Sequence, residues 1–198
     1  MANHYYDKSP ETKHDRNTIS FTLRGFGLRF VTDAGVFSKS GVDYGSRVLI
    51  DAMELGTADQ VLDVGCGYGP IGLTAAKLAP EGHVTMIDVN ERAVQLALEN
   101  ARLNGIGNVT VLQSDLFEAV RGRAYRIILT NPPIRAGKSV VHRIFEEGYE
   151  LLEPGGSLWV VIQKKQGAPS AKEKLESLYA EVEEVTKDKG YRIFRAVK

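Results

Sequence analysis

The sequence predicts a doubly wound, Rossmann-like α/β fold: a mostly parallel seven-stranded sheet that ends in an antiparallel pair and is preceded by a small β-hairpin module. Three observations point there. From residue 61 onwards, short apolar runs alternate with helical segments, and repeated β-α-β units imply a parallel sheet with helices on both faces. A glycine-rich turn, VLDVGCGYGPIGL, joins the first of these strands to its helix. Two further apolar-containing stretches, Val182 to Thr186 and Tyr191 to Val197, follow the last strand–helix unit and are expected to pair antiparallel.

In chain order, residues 1–17 are polar and aperiodic and are expected to be a tail, with one domain over 18–198. Ile19 to Leu23 and Leu28 to Thr32 alternate around Gly25-Phe26-Gly27, which predicts a hairpin. Asp43 is a helix cap for a segment from Tyr44 to about Met53. The strands follow at Val61 to Val64, Val84 to Asp88, Val109 to Gln113, Arg126 to Thr130 and Leu158 to Gln163. Helices are expected at about Pro70 to Leu78, Glu91 to Asn104, Lys138 to Leu152 and Ser170 to Tyr179, the second of them capped by Asn90 and stopped by Gly105.

The composition excludes several classes of partner. Lysine plus arginine and aspartate plus glutamate both total 25 in 198 residues, so a polyanion must be met by a local patch rather than by net charge. The single cysteine, Cys66, cannot form an internal disulfide and is read as a small packing residue. No apolar run nears the roughly 20 residues that span a bilayer, and the polar start has no signal-peptide core, so a cytoplasmic protein without membrane or metal is expected.

The glycine-rich turn marks the ligand end of the sheet. Asp63 sits inside an apolar strand and is followed by Gly65, Gly67 and Gly69, with Pro70 opening the helix. Glycines let a backbone turn tightly and approach a ligand without a Cβ, and proline suits the first helical position. Gly67, Gly69 and Gly72 also fit the dinucleotide pattern G-x-G-x-x-G, with Asp88 at the expected distance beyond, so the glycines alone do not separate a nicotinamide cofactor from another nucleoside ligand. Asp88 ends the second strand, where a carboxylate can accept from both ribose hydroxyls, with Val89 beside it. Asp115 follows the third strand and can accept from an adenine amine, with Leu116 against the ring.

Asn131-Pro132-Pro133-Ile134, directly after the strand RIILT, has no evident use in a dehydrogenase. With the acid–glycine loop, the ribose acid and the Asp115 turn, in this order and spacing, it resembles the class I S-adenosylmethionine-dependent methyltransferases whose Asn-Pro-Pro motif methylates planar amines or amides. GVFSKSGVDYGSRVLID and NPPIRAGK resemble, more narrowly, the small-subunit (16S) ribosomal RNA guanine 2-amino methyltransferases. That resemblance implies S-adenosylmethionine as cofactor, ribosomal RNA or the small subunit as partner, and a segment around Phe37, Ser38 and Asp43 to Ser46 packed beside the cofactor. The best-known members carry a duplicated N-terminal domain, and many have an aromatic residue where Ile134 stands here.

The chemistry expected at this tip is alignment more than acid–base work. Methyl transfer to an amine is an in-line displacement, and an exocyclic amine has a lone pair delocalised into its ring. The Asn131 side-chain oxygen and the Pro132 carbonyl can accept the two amine hydrogens and stabilise charge developing on nitrogen, while Pro133 restricts Pro132 and Ile134 covers the base. An aspartate at 131 would keep an acceptor oxygen, so partial activity is expected of it. Arg135 and Lys138 follow the tip and Lys164 and Lys165 follow the next strand, so these four are expected to flank RNA phosphates, whereas Arg121 and Arg123 belong to the far end of the sheet. The alternatives are transfer to a protein glutamine amide or a DNA adenine, a nicotinamide-dependent dehydrogenase, and a cofactor-binding module without catalysis.

Overall fold

A computed structural model describes residues 7–198. Strands β1 (Asn17–Leu23) and β2 (Phe26–Thr32) form the hairpin, closed by Arg24 and Gly25, both left-handed at φ 51° and 83°. Two consecutive left-handed residues give a turn whose twist matches that of the strands. The turn therefore lies one residue earlier than the expected Gly25-Phe26-Gly27, and Phe26 and Gly27 belong to β2.

Five helices and seven strands follow: α1 (Tyr44–Ala52), β3 (Gln60–Val64), α2 (Pro70–Leu78), β4 (His83–Asp88), α3 (Glu91–Leu103), β5 (Val109–Gln113), β6 (Tyr125–Thr130), α4 (Lys138–Leu151), β7 (Leu152–Gln163), α5 (Ala168–Leu178), β8 (Glu181–Asp188) and β9 (Tyr191–Val197). The seven strands pair in the order β5-β4-β3-β6-β7-β9-β8, with β9 antiparallel to both β7 and β8. The order reverses at β3, which has β4 on one side and β6 on the other. That switch point leaves a crevice at the carboxyl ends of the strands, the usual ligand place in such sheets.

Alternation along the strands divides the core. Val61, Met86 and Leu129 face the layer of α1, α2, α3 and the hairpin, while Leu62, Val64, Ile128 and Val160 face α4 and α5. Asp63 is on the first face, beneath α2. Strand β7 is longer than expected because it resumes on both sides of Pro154-Gly155-Gly156: Tyr125 pairs with Leu152 and Ile127 with Ser157, so the intervening residues bulge from the ladder.

The hairpin is attached by two asparagines of α3. Asn100 accepts from Val31 N at 2.7 Å and donates to Val31 O at 3.0 Å, and Asn104 does the same to Arg29 at 2.9 and 2.7 Å. Four residues of helix rise about 6 Å and two residues of strand about 6.8 Å, so side-chain amides at i and i+4 can serve alternate residues of a strand edge. Residues 8–16 carry no helix or strand but run along the start of α3. Lys8 O accepts from Glu91 N at 3.0 Å, and Arg92 donates to the carbonyls of Pro10 and Thr12 at 3.2 and 2.9 Å. Residues 1–6 of the expected tail lie outside the described residues. Among the described residues, no helix is long and apolar enough to cross a membrane.

Candidate active site

At the switch point a cleft open to solvent is walled by the glycine-rich turn, the ends of β4 and β5, the loop before α1 and the segment after β6. Of the residues singled out from sequence, Phe37, Ser38, Gly65, Gly67, Asp88, Val89, Leu116, Asn131, Pro132 and Pro133 line this cavity.

The turn after β3 is shaped by glycines at positive φ, Gly65 at 73° and Gly67 at 55°, and a Cβ at either would meet no atom within 4 Å. Their backbone therefore faces open space that a ligand can fill. Gly69 and Gly72 do different work. Gly69 is the left-handed cap before Pro70, and a Cβ on Gly72 would come within 2.8 Å of Asp63 and Met86, so that glycine lets α2 sit close on the sheet. Tyr68, which sequence reasoning passed over, is buried and donates its hydroxyl to the carbonyls of Ser38 and Gly41 at 3.2 and 3.0 Å. It ties the glycine turn to the loop before α1. Ser38 and Leu116 both hold left-handed backbone, at φ 54° and 49°, a strain that clusters at ligand sites.

Asp88 accepts from Gly67 N at 2.8 Å and from Asn90 N at 2.9 Å. Burial pushes its carboxyl up to about 6, against the N–H groups of Asn90, Gly67 and Val89, which favour the charged form. Asp63 is fully buried under the turn, not on the cavity wall. Its Oδ2 accepts from Gly72 N at 2.8 Å, its Oδ1 has no partner, and burial, reinforced by the Asp88 charge, pushes its carboxyl up to about 7. Burial also pushes the Cys66 thiol up, so a packing role suits it better than a nucleophilic one.

Asn131 is the residue whose surroundings say most. Its Nδ2 donates to Asp43 Oδ2 and Ser46 Oγ, both at 3.0 Å, at the capped start of α1. A carboxylate has no hydrogen to give, so this pairing commits the amide nitrogen to Asp43 and Ser46, which line the cavity too, and leaves Oδ1 without a partner among the described residues. The Pro132 carbonyl is already engaged: it accepts from Ile134 N at 2.9 Å across Pro133, which has φ −75° and ψ 80°. That is an inverse γ-turn, and it leaves the carbonyl one further lone pair.

Two expected residues, Ile134 and Asp115, lie elsewhere. Ile134 does not cover the main cavity but, in the short 3-10 helix Ile134–Ala136, lines a second one with Lys138, His142, Ile162 and Gln166. There burial and the neighbouring Lys138 and Lys174 hold the His142 imidazole below its usual value. Asp115 is half-exposed outside the main wall, 3.7 Å from Lys8; the left-handed turn at Leu116 sends that apolar side chain inward instead, beside Ser114. Arg135, Lys138, Lys164 and Lys165 are exposed and, among the described residues, form no ion pair. Lys164 N donates to Gly190 O at 2.7 Å, which brings Lys189 of the β8–β9 turn to the same edge. Sequence reasoning missed Lys189, because only the pairing of β7 with β9 places it there.

A switch-point cavity with a glycine turn, a strand-end carboxylate and an Asn-Pro-Pro tip defines a class I methyltransferase fold. The model of the methyltransferase small domain family matches residues 27–195, and the chain belongs to that family. It is 56% identical over its whole length, and that of the relative, to the uncharacterized protein YbxB of Bacillus subtilis. It is 32% identical to ribosomal RNA large subunit methyltransferase G of Streptomyces avermitilis, over 87% of this chain and 46% of that protein. The solved 16S rRNA N2 G1207 methyltransferase of T. thermophilus, in complex with AdoMet and guanosine, superposes with a TM-score of 0.83 at 26% identity, over 96% of this chain and 52% of that one. The chain thus spans about half the length of the ribosomal RNA methyltransferases it matches. Family membership makes S-adenosylmethionine the cofactor, and the residues present fit it: an open cleft at the switch point, bare backbone at Gly65 and Gly67, and a carboxylate at the end of β4.

Proposed function

We propose that the protein transfers the methyl group of S-adenosylmethionine to the 2-amino group of a guanine in small-subunit (16S) ribosomal RNA. The observation that carries this reading is the pairing of Asn131, whose nitrogen is committed to Asp43 and Ser46 while its Oδ1, on the cavity wall, has no partner among the described residues. An amine has two hydrogens to give, and Oδ1 with the free lone pair of the Pro132 carbonyl supplies two acceptors. Bound cofactor supplies an electrophilic methyl carbon. Asp88 accepts from ribose hydroxyls, Val89 and Leu116 take the flat faces of adenine, Gly65 and Gly67 admit the ligand against bare backbone, and Phe37 and Ser38 close its outer side. Asp63 supports the turn from beneath. Asn131 and Pro132 hold the amine in line and stabilise the charge that grows on its nitrogen, so their effect is on rate. An enzyme with this acceptor works where ribosomes are assembled, in the cytoplasm.

The Asp88 carboxylate predicts a pH dependence. Accepting from hydroxyls favours the charged form, so cofactor binding draws its proton affinity below the free-state value of about 6. Affinity is highest above that value and falls as pH drops through it, by up to about tenfold per pH unit for one linked proton. Calorimetric titration between pH 5 and 8 measures this. The Asp88→Asn variant should bind more weakly at pH 8 and lose the slope; a wild-type affinity that is flat with pH removes Asp88 from the cofactor site.

The cations at the carboxyl edge support RNA as the acceptor. Arg135→Ala and Lys138→Ala should each lower the slope of log affinity against log salt by about one, whereas Arg121→Ala, at the opposite end of β6, should leave it unchanged. A larger effect from Arg121 would put the RNA on another face. The acceptor class itself is tested by supplying labelled cofactor with total RNA, small subunits, DNA and protein extract in parallel: label is expected in small-subunit RNA, and label in protein or DNA alone would overturn the reading.

A further inference from the structure

The side chain of Asn131 has a choice that its own shape does not settle. An asparagine amide is nearly the same size with oxygen and nitrogen exchanged, and the torsion that exchanges them is broad and roughly two-fold. Only hydrogen bonds select one face. Ser46 Oγ, 3.0 Å from Nδ2, is a hydroxyl that donates or accepts and so fits either orientation. Asp43 Oδ2, also at 3.0 Å, accepts only, and an exchanged amide would set two oxygens against each other there.

Asp43 is itself held in place. It caps α1, with Oδ2 accepting from Ser46 N at 3.0 Å and its carbonyl accepting from Arg47 N at 3.0 Å. Gly45 leaves room for this arrangement: a Cβ there would be 3.1 Å from Asp43 Oδ2 and 2.7 Å from the ring of Tyr191 at the start of β9. Tyr191 and Tyr68 stand close enough for the Asp43 charge to push their hydroxyls up, in each case adding to burial.

We infer that Asp43 is a positioning residue: it fixes the Asn131 amide with oxygen toward the acceptor, and so selects an acceptor atom that still carries a hydrogen. An amino group satisfies Oδ1. A ring nitrogen that offers only a lone pair meets another lone pair there and is rejected. This rests on the reading of Asn131 as the acceptor-side group, and it gives α1 a function in chemistry as well as in packing.

The test compares two substitutions that both keep the helix cap. Serine and asparagine cap about as well as aspartate. Asp43→Ser keeps a short hydroxyl for Ser46 N but has no second reach to Asn131, whereas Asp43→Asn retains an amide oxygen that can take both bonds. Asp43→Ser is expected to lower single-turnover methyl transfer at saturating cofactor roughly tenfold through lost alignment, with a melting temperature close to wild type. Asp43→Asn should stay near the wild-type rate. The second readout is hydrogen exchange of the Asn131 side-chain amide by NMR, protected in wild type and Asp43→Asn and unprotected in Asp43→Ser. A rate loss below about fivefold with protection intact in Asp43→Ser overturns the inference. So does an Asp43→Asn variant as impaired as Asp43→Ser, since charge and not the acceptor oxygen would then set the rate. If wild type labels no RNA, the proposed acceptor is wrong, while amide exchange still reports the orientation of Asn131.

Discussion

Asn131→Ala is expected to lower methyl transfer roughly a hundredfold or more while leaving S-adenosylmethionine affinity within about threefold. The separation follows from geometry. The Asn131 nitrogen is occupied by Asp43 and Ser46 and its oxygen has no partner among the described residues, so the alanine variant removes the acceptor proposed for the reacting amine. An interaction that strengthens as charge develops acts on the rate and not on ground-state binding. The structure also changes what Asn131→Asp should do. From sequence an aspartate keeps an acceptor oxygen and partial activity. In the fold it would place a second carboxylate against Asp43, whose Oδ2 lies 3.0 Å from the nitrogen it replaces, so repulsion displaces the side chain and activity should fall to near the alanine level. Single-turnover transfer beside calorimetric titration measures both quantities; near-normal turnover by the alanine variant would reduce the tip to a rigid turn.

The largest effect on stability is expected of Asn100→Ala. Asn100 is fully buried, and its amide serves Val31 N and O together with the Tyr68 carbonyl, at 2.7, 3.0 and 2.8 Å. Removing it leaves three backbone groups without partners. Net hydrogen bonds contribute about 0.5–1.5 kcal/mol each and a buried unsatisfied group costs about 1–3, so a loss of roughly 3–5 kcal/mol follows. In a domain of this size that lowers the melting temperature by about 10 °C or more. Asn104→Ala breaks the equivalent pair at Arg29, where water can replace the amide, and should cost about 1 kcal/mol or less. Equal losses in the two variants would show that the hairpin is not held through Asn100. Because the Tyr68 carbonyl belongs to the glycine turn, Asn100→Ala is also the core change expected to weaken cofactor binding.

Much of this was legible in the sequence because it rests on local patterns. Short apolar runs between helices gave the sheet, its terminal antiparallel pair and the cavity edge. Asp88, Gly65 and Gly67 could be placed at the cavity from sequence because a strand end and a tight turn require those residue types in adjacent positions. What stayed hidden depends on pairs far apart in the chain. Asp43 and Asn131 are 88 residues apart, and nothing in either neighbourhood says that one orients the other. Tyr68 reads as plain core until its hydroxyl is seen on the Ser38 and Gly41 carbonyls. Asp115 and Ile134 each stand one step off the cavity wall, next to Leu116 and Pro133, which line it. A left-handed residue at Leu116 and a γ-turn at Pro133 reverse which side chain faces the cavity, and neither conformation is announced by its residue type. Asn100 and Asn104 show a signal that could have been read: two asparagines at i and i+4 on the face of α3 that meets the hairpin.

The central claim is that the tip presents acceptors to an exocyclic amine of RNA, and the position of the transferred methyl tests it most directly. Small-subunit RNA labelled by the wild-type protein and labelled cofactor would be digested to nucleosides and separated. The account predicts label in 2-methylguanosine, and none after labelling with Asn131→Ala. Label on a ring nitrogen, a ring carbon or a ribose hydroxyl would contradict it.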